Sequence, residues 1–292
     1  MRSDYAQELD VIEQRIADFL DTNNVLRQLM PFAVKKGKRI RSILYLMNWN
    51  KNALVDAEIK YKTIALIELI HFGSILHDDV VDNNMVRRNR NSVAKEFGFR
   101  KSIIWGDLLL VYSINELLKL HSNDTYIKNY ITEQCCATAL GAALERDLNI
   151  QSTIQDCINI MSLKTASLFK VVFVLSSQLS HSSSQSDFAY LGNCFGLLFQ
   201  FQNDLDNFSL SDFRASEDFM QKNITLPIIL LKEFLNFDLS KFCLSTQKIY
   251  LEIQHLLQTP EFKSGAQKIF SESTLAVEDF LYASHPTFSF RC

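Results

Sequence analysis

Glycine and proline are scarce, with 8 and 4 copies in 292 residues. So little turn chemistry argues against the many reversals of a barrel or sandwich and calls for long helices. The six cysteines, at 135, 136, 157, 194, 243 and 292, form no C-x-x-C pair and no zinc-ligand spacing. No signal-peptide pattern opens the chain, so these thiols read as reduced and the expected location is cytoplasmic. There is no long basic block and the formal net charge is −3, so nucleic acid is not an expected partner. No run of about 18 apolar residues stands out, and no transmembrane segment is expected.

Apolar residues supply 47% of the chain, enough for a sizeable core, and phenylalanine is abundant at 22 copies. These rings serve either as core filling or as the lining of a cavity. Helical periodicity dominates. Residues 4–22 carry Leu9, Ile12, Ile16 and Phe19 on one stripe. A basic segment, Lys35 to Arg41, opens a second helix through Leu44 and Trp49, and a third helix covers about 57–84. Further helices are expected near 103–120, 124–148, 154–179, 186–208, 223–236, 242–257 and 260–282. The expected architecture is one all-α domain over residues 1–292, a single large bundle of about ten helices.

Four polar constellations interrupt this apolar pattern. The first is Asp78, Asp79 and Asp82 at the end of the third helix, with Arg87 and Arg88 just beyond. Asp78 and Asp82 are four apart and share a helix face, where like charges cost stability unless a cation neutralises them. Two hard oxygen ligands beside fixed positive charge suit Mg²⁺ carrying a polyphosphate. The plain alternative is a solvated helix end, with His71, two turns earlier, an ordinary core or surface histidine.

The second constellation is Gly37-Lys38-Arg39-Ile40-Arg41. Lys38 and Arg41 lie three apart near a helix N-terminus, where backbone N–H groups and the macrodipole favour an anion; a solvated basic run is the alternative. The third is Lys164-Thr165 within an apolar helix, where the lysine must find an anion or snorkel to water. The fourth, Gly196 to Asn207, places a second partly acidic patch around Asp204 at the end of an apolar helix. Two acidic helix ends facing one another across a bundle would hold divalent ions.

Together these segments resemble the trans-polyprenyl diphosphate synthase family, and most of all its long-chain bacterial members. The resemblance runs over nearly the whole chain, with the motifs in the family's order. They are GKRxR at 37–41, Glu68 and His71 before His77-Asp78-Asp79-x-x-Asp82, the arginine pair 87–88, Gly106-Asp107-Leu108-Leu109, Lys164 to Phe169, Phe199-Gln200 and Thr225-Leu226-Pro227. The resemblance implies a helical bundle around a deep central cavity, and Mg²⁺ as cofactor on Asp78, Asp82 and Asp204 with Asp79 in support. It also implies two substrates. An allylic diphosphate of farnesyl or geranyl type would be held by Arg87, Lys164, Thr165 and Gln200. Isopentenyl diphosphate would be held by Lys38, Arg41, His71 and Arg88. The implied product is a long-chain trans-polyprenyl diphosphate, made by a homodimer.

Product length has a steric reading. If the chain grows beside the third helix, Ser74 and Gly73, four and five residues before Asp78, form its floor. Both are small, and in the family bulky aromatics there accompany short products. The alternative is that Gly73 and Ser74 merely permit close helix packing.

The second acidic motif departs from the family. Asn203 and Asn207 replace carboxylates, leaving Asp204 in register and Asp206 as a substitute. A neutral carbonyl in place of a carboxylate lowers the expected affinity for a third Mg²⁺. The family's later lysine aligns with Asn223, one residue after Lys222, which is long enough to reach the site. Asn89 stands where a glycine is usual. These departures leave room for a partner-dependent or non-catalytic subunit of a heteromeric synthase. A class I terpene cyclase is disfavoured, because Lys38, Arg41 and His71 would have no task there.

Overall fold

A computed structural model describes residues 3–34, 37–49, 56–87, 90–177, 185–242, 244 and 246–284. The described chain is almost wholly helical and divides into two compact units, Met1–Glu133 with Val171–Gln185, and Gln134–Lys170 with Ser186–Cys292.

The first unit contains α1 (Ala6–Asp21), the single turns α2 (Asn24–Arg27) and α3 (Met30–Ala33), α4 (Ile40–Asn48) and α5 (Ala57–Val81). It continues through a two-residue hairpin, β1 (Val86–Arg87) and β2 (Arg90–Asn91), to α6 (Val93–Phe97), α7 (Phe99–Leu120) and the start of α8 (Thr125–Glu145). Leu9, Ile12, Ile16 and Leu20 make the buried stripe of α1, so Leu20 rather than Phe19 completes it. Phe19 instead meets the edge of Tyr112, at 5.8 Å between ring centroids. Asp56 caps α5 by accepting from Glu58 N at 2.9 Å. From Thr63 to Ile70 α5 is buried on every side, as expected for a helix that packs on both α1 and α7.

The crossing of α5 and α7 is unusually close because two glycines face one another. A β-carbon on Gly73 would lie 2.8 Å from Leu110 Cγ, and one on Gly106 would lie 2.5 Å from His77 Nε2. The imidazole of His77 occupies the space that Gly106 vacates, 3.1 Å from Ile103 O and 3.2 Å from Asp107 Oδ1.

Of the basic segment, Gly37 to Arg39 precede the helix. Arg39 adopts φ 55°, a left-handed backbone uncommon outside glycine, and α4 starts only at Ile40. The gain is a buried ion cluster: Arg39 Nε donates to Glu13 Oε1 at 2.8 Å and Nη1 to Glu68 Oε2 at 3.0 Å. Glu68 Oε1 also accepts from Ser42 N at 3.2 Å and Ser42 Oγ at 2.8 Å. The anion at the α4 N-terminus is therefore the protein's own Glu68.

The second unit holds the end of α8, α9 (Ile154–Met161), a π-turn (Ser162–Ala166), the start of α10 (Ser167–Ser177) and α11 (Gln185–Asn207). It ends with α12 (Glu217–Gln221), α13 (Leu226–Leu235), α14 (Leu239–Phe242), α15 (Gln247–Leu257) and α16 (Pro260–Ser284). Pro227 sits in the first turn of α13, where a missing N–H is tolerated. Phe169, Phe208, Phe219 and Phe242 are wholly buried, so much of the phenylalanine is core filling. The stretch Ile154–Ser177 is long and apolar enough to cross a membrane by length and composition, and its most apolar window is 61% buried within the protein.

Candidate active site

The C-terminal turn of α5 separates its three carboxylates. Asp79 is buried, at 3% side-chain exposure, and accepts from Arg87 Nε at 2.7 Å. Asp78 and Asp82 are half-buried one turn apart, with Asp82 N donating to Asp78 O at 2.8 Å. Carboxylates at a helix C-terminus oppose the macrodipole, so this pair favours a nearby cation. Mg²⁺ takes one or two carboxylates and completes its octahedron with water and substrate phosphate oxygens. That demand fits Asp78 and Asp82. Among the described residues no three His, Cys, Asp or Glu side chains converge on one metal position.

Asp79 and Arg87 also wall a cleft of about 480 Å³ with Phe32, Phe72, Ile75 and Arg90. The hairpin that presents Arg87 is tied down by Ser92 Oγ, which donates to Asn84 O at 2.7 Å. Arg88 and Asn89 lie outside the described residues.

Lys38 and Arg41 do not share a helix face, contrary to their spacing. Lys38 precedes α4 and is exposed, whereas Arg41 is inside it and buried. Burial pulls the Arg41 guanidinium down to about 10, against the opposing charge of Glu68. His71 is half-buried, and its carbonyl accepts from Ser74 Oγ at 2.8 Å. For Gly73 the close-packing alternative holds, since its face is filled by Leu110.

In the second unit the predicted residues form a chain of contacts. Thr165 Oγ1 donates to Gln200 Oε1 at 2.7 Å, and Gln200 Nε2 donates to Asp204 Oδ1 at 2.6 Å. Lys164, in the π-turn, donates to Glu145 Oε2 at 2.5 Å. The lysine thus has an anionic partner within the protein. Burial, then the charge of Asp218, holds the Asp204 carboxyl well above the usual carboxylate range; Gln200 opposes that rise.

Asp218 was not evident from the sequence. Asn207 Nδ2 donates to its Oδ2 at 2.8 Å and Asn223 Nδ2 to its Oδ1 at 3.2 Å. Asn207 and Asn223 therefore converge on one carboxylate. Asp206 points away from Asp204. It is exposed, accepts from Gln202 at 2.8 Å, and lines a separate groove with Leu205 and Phe201. Two residues along a helix correspond to about 200° of rotation, which turns it away. Lys222 is exposed in a left-handed turn, φ 61°, at the end of α12.

An α-helical protein with an acidic helix end tied to arginine, a lysine paired with glutamate, and a threonine–glutamine chain leading to a buried aspartate has the groups of a diphosphate-handling enzyme. A sequence model of the polyprenyl synthetase family matches residues 23–240, and the chain belongs to that family. It is 23% identical over 232 residues to heptaprenyl diphosphate synthase component 2 of Bacillus subtilis, covering 76% of this chain and 66% of that protein. It is 27% identical over 203 residues to the geranyl-diphosphate-specific all-trans-nonaprenyl-diphosphate synthase of Rhodobacter capsulatus, covering 66% and 61%. The chain thus spans just under two thirds of these curated relatives. The crystal structure of heptaprenyl diphosphate synthase from Staphylococcus aureus shares the fold, with a TM-score of 0.80, 22% identity and coverage of 95% and 92%.

Proposed function

We propose that this chain is a prenyltransferase that condenses isopentenyl diphosphate head-to-tail with a farnesyl- or geranyl-type allylic diphosphate to give a long-chain trans-polyprenyl diphosphate. One domain spanning both units would do this, a reading supported by the family match across both. The carrying observation is the division of labour on α5, where Asp79 is committed to Arg87 while Asp78 and Asp82 stand one turn apart.

In the first unit Asp78 and Asp82 hold Mg²⁺, and Arg87, oriented by Asp79, reaches the allylic diphosphate. In the second, Lys164, Thr165 and Gln200 are the groups assigned to the allylic diphosphate, Asp204 supports a further metal, and Lys222 lends positive charge. Lys38, Arg41, His71 and Arg88 bind isopentenyl diphosphate. Bound Mg²⁺ supplies Lewis-acid charge to the departing diphosphate. The arginine and lysine groups stabilise the same developing charge because they are ordered beforehand. Phenylalanine, leucine and isoleucine around the hydrocarbon offer no nucleophile to an allylic cation and exclude water.

Ser74 marks a small floor one turn below Asp78 and supports a long product. The exposed apolar residues Ile104 and Val111 on α7 support a homodimer, and the reduced thiols a cytoplasmic setting.

The test is steady-state assay of the purified chain with farnesyl diphosphate, isopentenyl diphosphate and Mg²⁺, with products sized by mass spectrometry. Polyprenyl diphosphate that disappears with a chelator is expected; no product at saturating Mg²⁺ overturns the reading. A second reading is a partner-dependent subunit, favoured by Asn203 and Asn207 and by a relative named component 2. Activity that emerges only on adding another subunit would select it.

A further inference from the structure

Gly141 and Glu145 stand one turn apart on α8, and both meet Lys164. A β-carbon at 141 would overlap the Lys164 backbone nitrogen and lie 2.7 Å from its Cα. No real side chain holds such a distance, so only glycine lets α8 rest on the π-turn. One turn further, Glu145 Oε2 receives Lys164 Nζ at 2.5 Å, with the two side chains 29% and 23% exposed. The same oxygen lies 3.3 Å from Arg146 Nη2.

A lysine side chain is a long flexible stem that loses much rotamer freedom when its ammonium is fixed. Fixing it before the ligand arrives removes that loss from the binding step. An ammonium carries three donors, so a bond to Glu145 does not exhaust it.

We propose that Gly141 and Glu145 are positioning residues for Lys164: the glycine sets where the lysine is rooted, and the carboxylate sets where its ammonium points. This rests on the reading of Lys164 as a group that binds the allylic diphosphate. It adds α8 to the elements that build that subsite.

The experiment compares Glu145→Ala and Glu145→Gln with the parent chain. Binding of inorganic pyrophosphate with Mg²⁺ is followed by calorimetry, and KM is measured separately for the allylic and isopentenyl substrates. Glu145→Ala should weaken pyrophosphate binding and raise the allylic KM by about three- to tenfold, the loss expected for one mobile side chain. The isopentenyl KM should not move. Glu145→Gln, which keeps an acceptor in place, should remain within about twofold of the parent. Gly141→Ala should impair allylic binding at least as much; should it fail to fold, the Glu145 pair decides alone. Equal or tighter pyrophosphate binding by Glu145→Ala, or an equal rise in both KM values, overturns the proposal. A parent chain that neither binds pyrophosphate nor turns over removes the functional reading itself, a result distinct from normal turnover with an indifferent Glu145.

Discussion

Arg87 Nε lies 2.7 Å from Asp79 Oδ1, and that carboxylate is almost completely buried while its neighbours Asp78 and Asp82 are only half-buried. Adjacent aspartates of one motif therefore sit in different surroundings. Asp78→Ala should lower turnover by at least about 100-fold, the scale of losing a preorganised electrostatic group, and leave thermal stability nearly unchanged. Asp79→Ala should lower unfolding free energy by about 1–2 kcal/mol, because it removes a charge-assisted hydrogen bond made by a buried carboxylate. Parallel kinetics and denaturant titrations of the two variants check this split. Parent-like turnover in Asp78→Ala refutes the metal assignment.

The α5–α7 crossing gives a packing prediction. Gly106→Ala places a methyl 2.5 Å from His77 Nε2 and 3.3 Å from Gly73 O. The imidazole must move, giving up its contact with Ile103 O. A loss of about 1–3 kcal/mol is expected, as for other overpacked sites, measurable by urea unfolding.

Product length should respond to Ser74. Ser74→Phe introduces a ring one turn before Asp78 and should shift the product distribution toward shorter chains. An unchanged mass spectrum of products removes the steric argument. Gly73→Phe is a poor substitute for this test, because Leu110 fills that face and the variant should unfold instead.

Asp204 is a buried carboxyl whose ionisation works against folding. Its folded-state carboxyl is held above the ordinary 3.8, first by burial and then by Asp218. A raised acid binds its proton more tightly when folded, so ionisation costs stability as pH climbs from about 4 through the elevated value. Asp204→Asn keeps an acceptor for Gln200 and removes the charge. Its unfolding temperature should exceed the parent's at neutral pH, and the advantage should shrink in acid. A melting series across pH decides it.

How much of this was written locally in the sequence depends on the range of the interaction. The apolar stripe of α1 follows from helical spacing, and so does the shared face of Gln200 and Asp204, which the structure joins by a 2.6 Å hydrogen bond. The start of α4 was not legible, because Arg39 turns left-handed to reach Glu13 and Glu68, 26 and 29 residues away. Local pattern carries no trace of such partners. Asp218 was equally hidden: nothing in its neighbourhood announces that Asn207 and Asn223 will meet on it. Gly141 and Glu145 left a fainter signal, a glycine one turn before an acid within an alanine-rich helix.

The buried cluster around Arg39 also redraws the boundary of the working molecule. Glu13 lies on α1, upstream of the 23–240 stretch that carries the family's signature. Its carboxylate nonetheless braces the loop leading to Lys38 and Arg41. A fragment trimmed to the matched stretch would retain every motif yet lose the Glu13 carboxylate that meets Arg39.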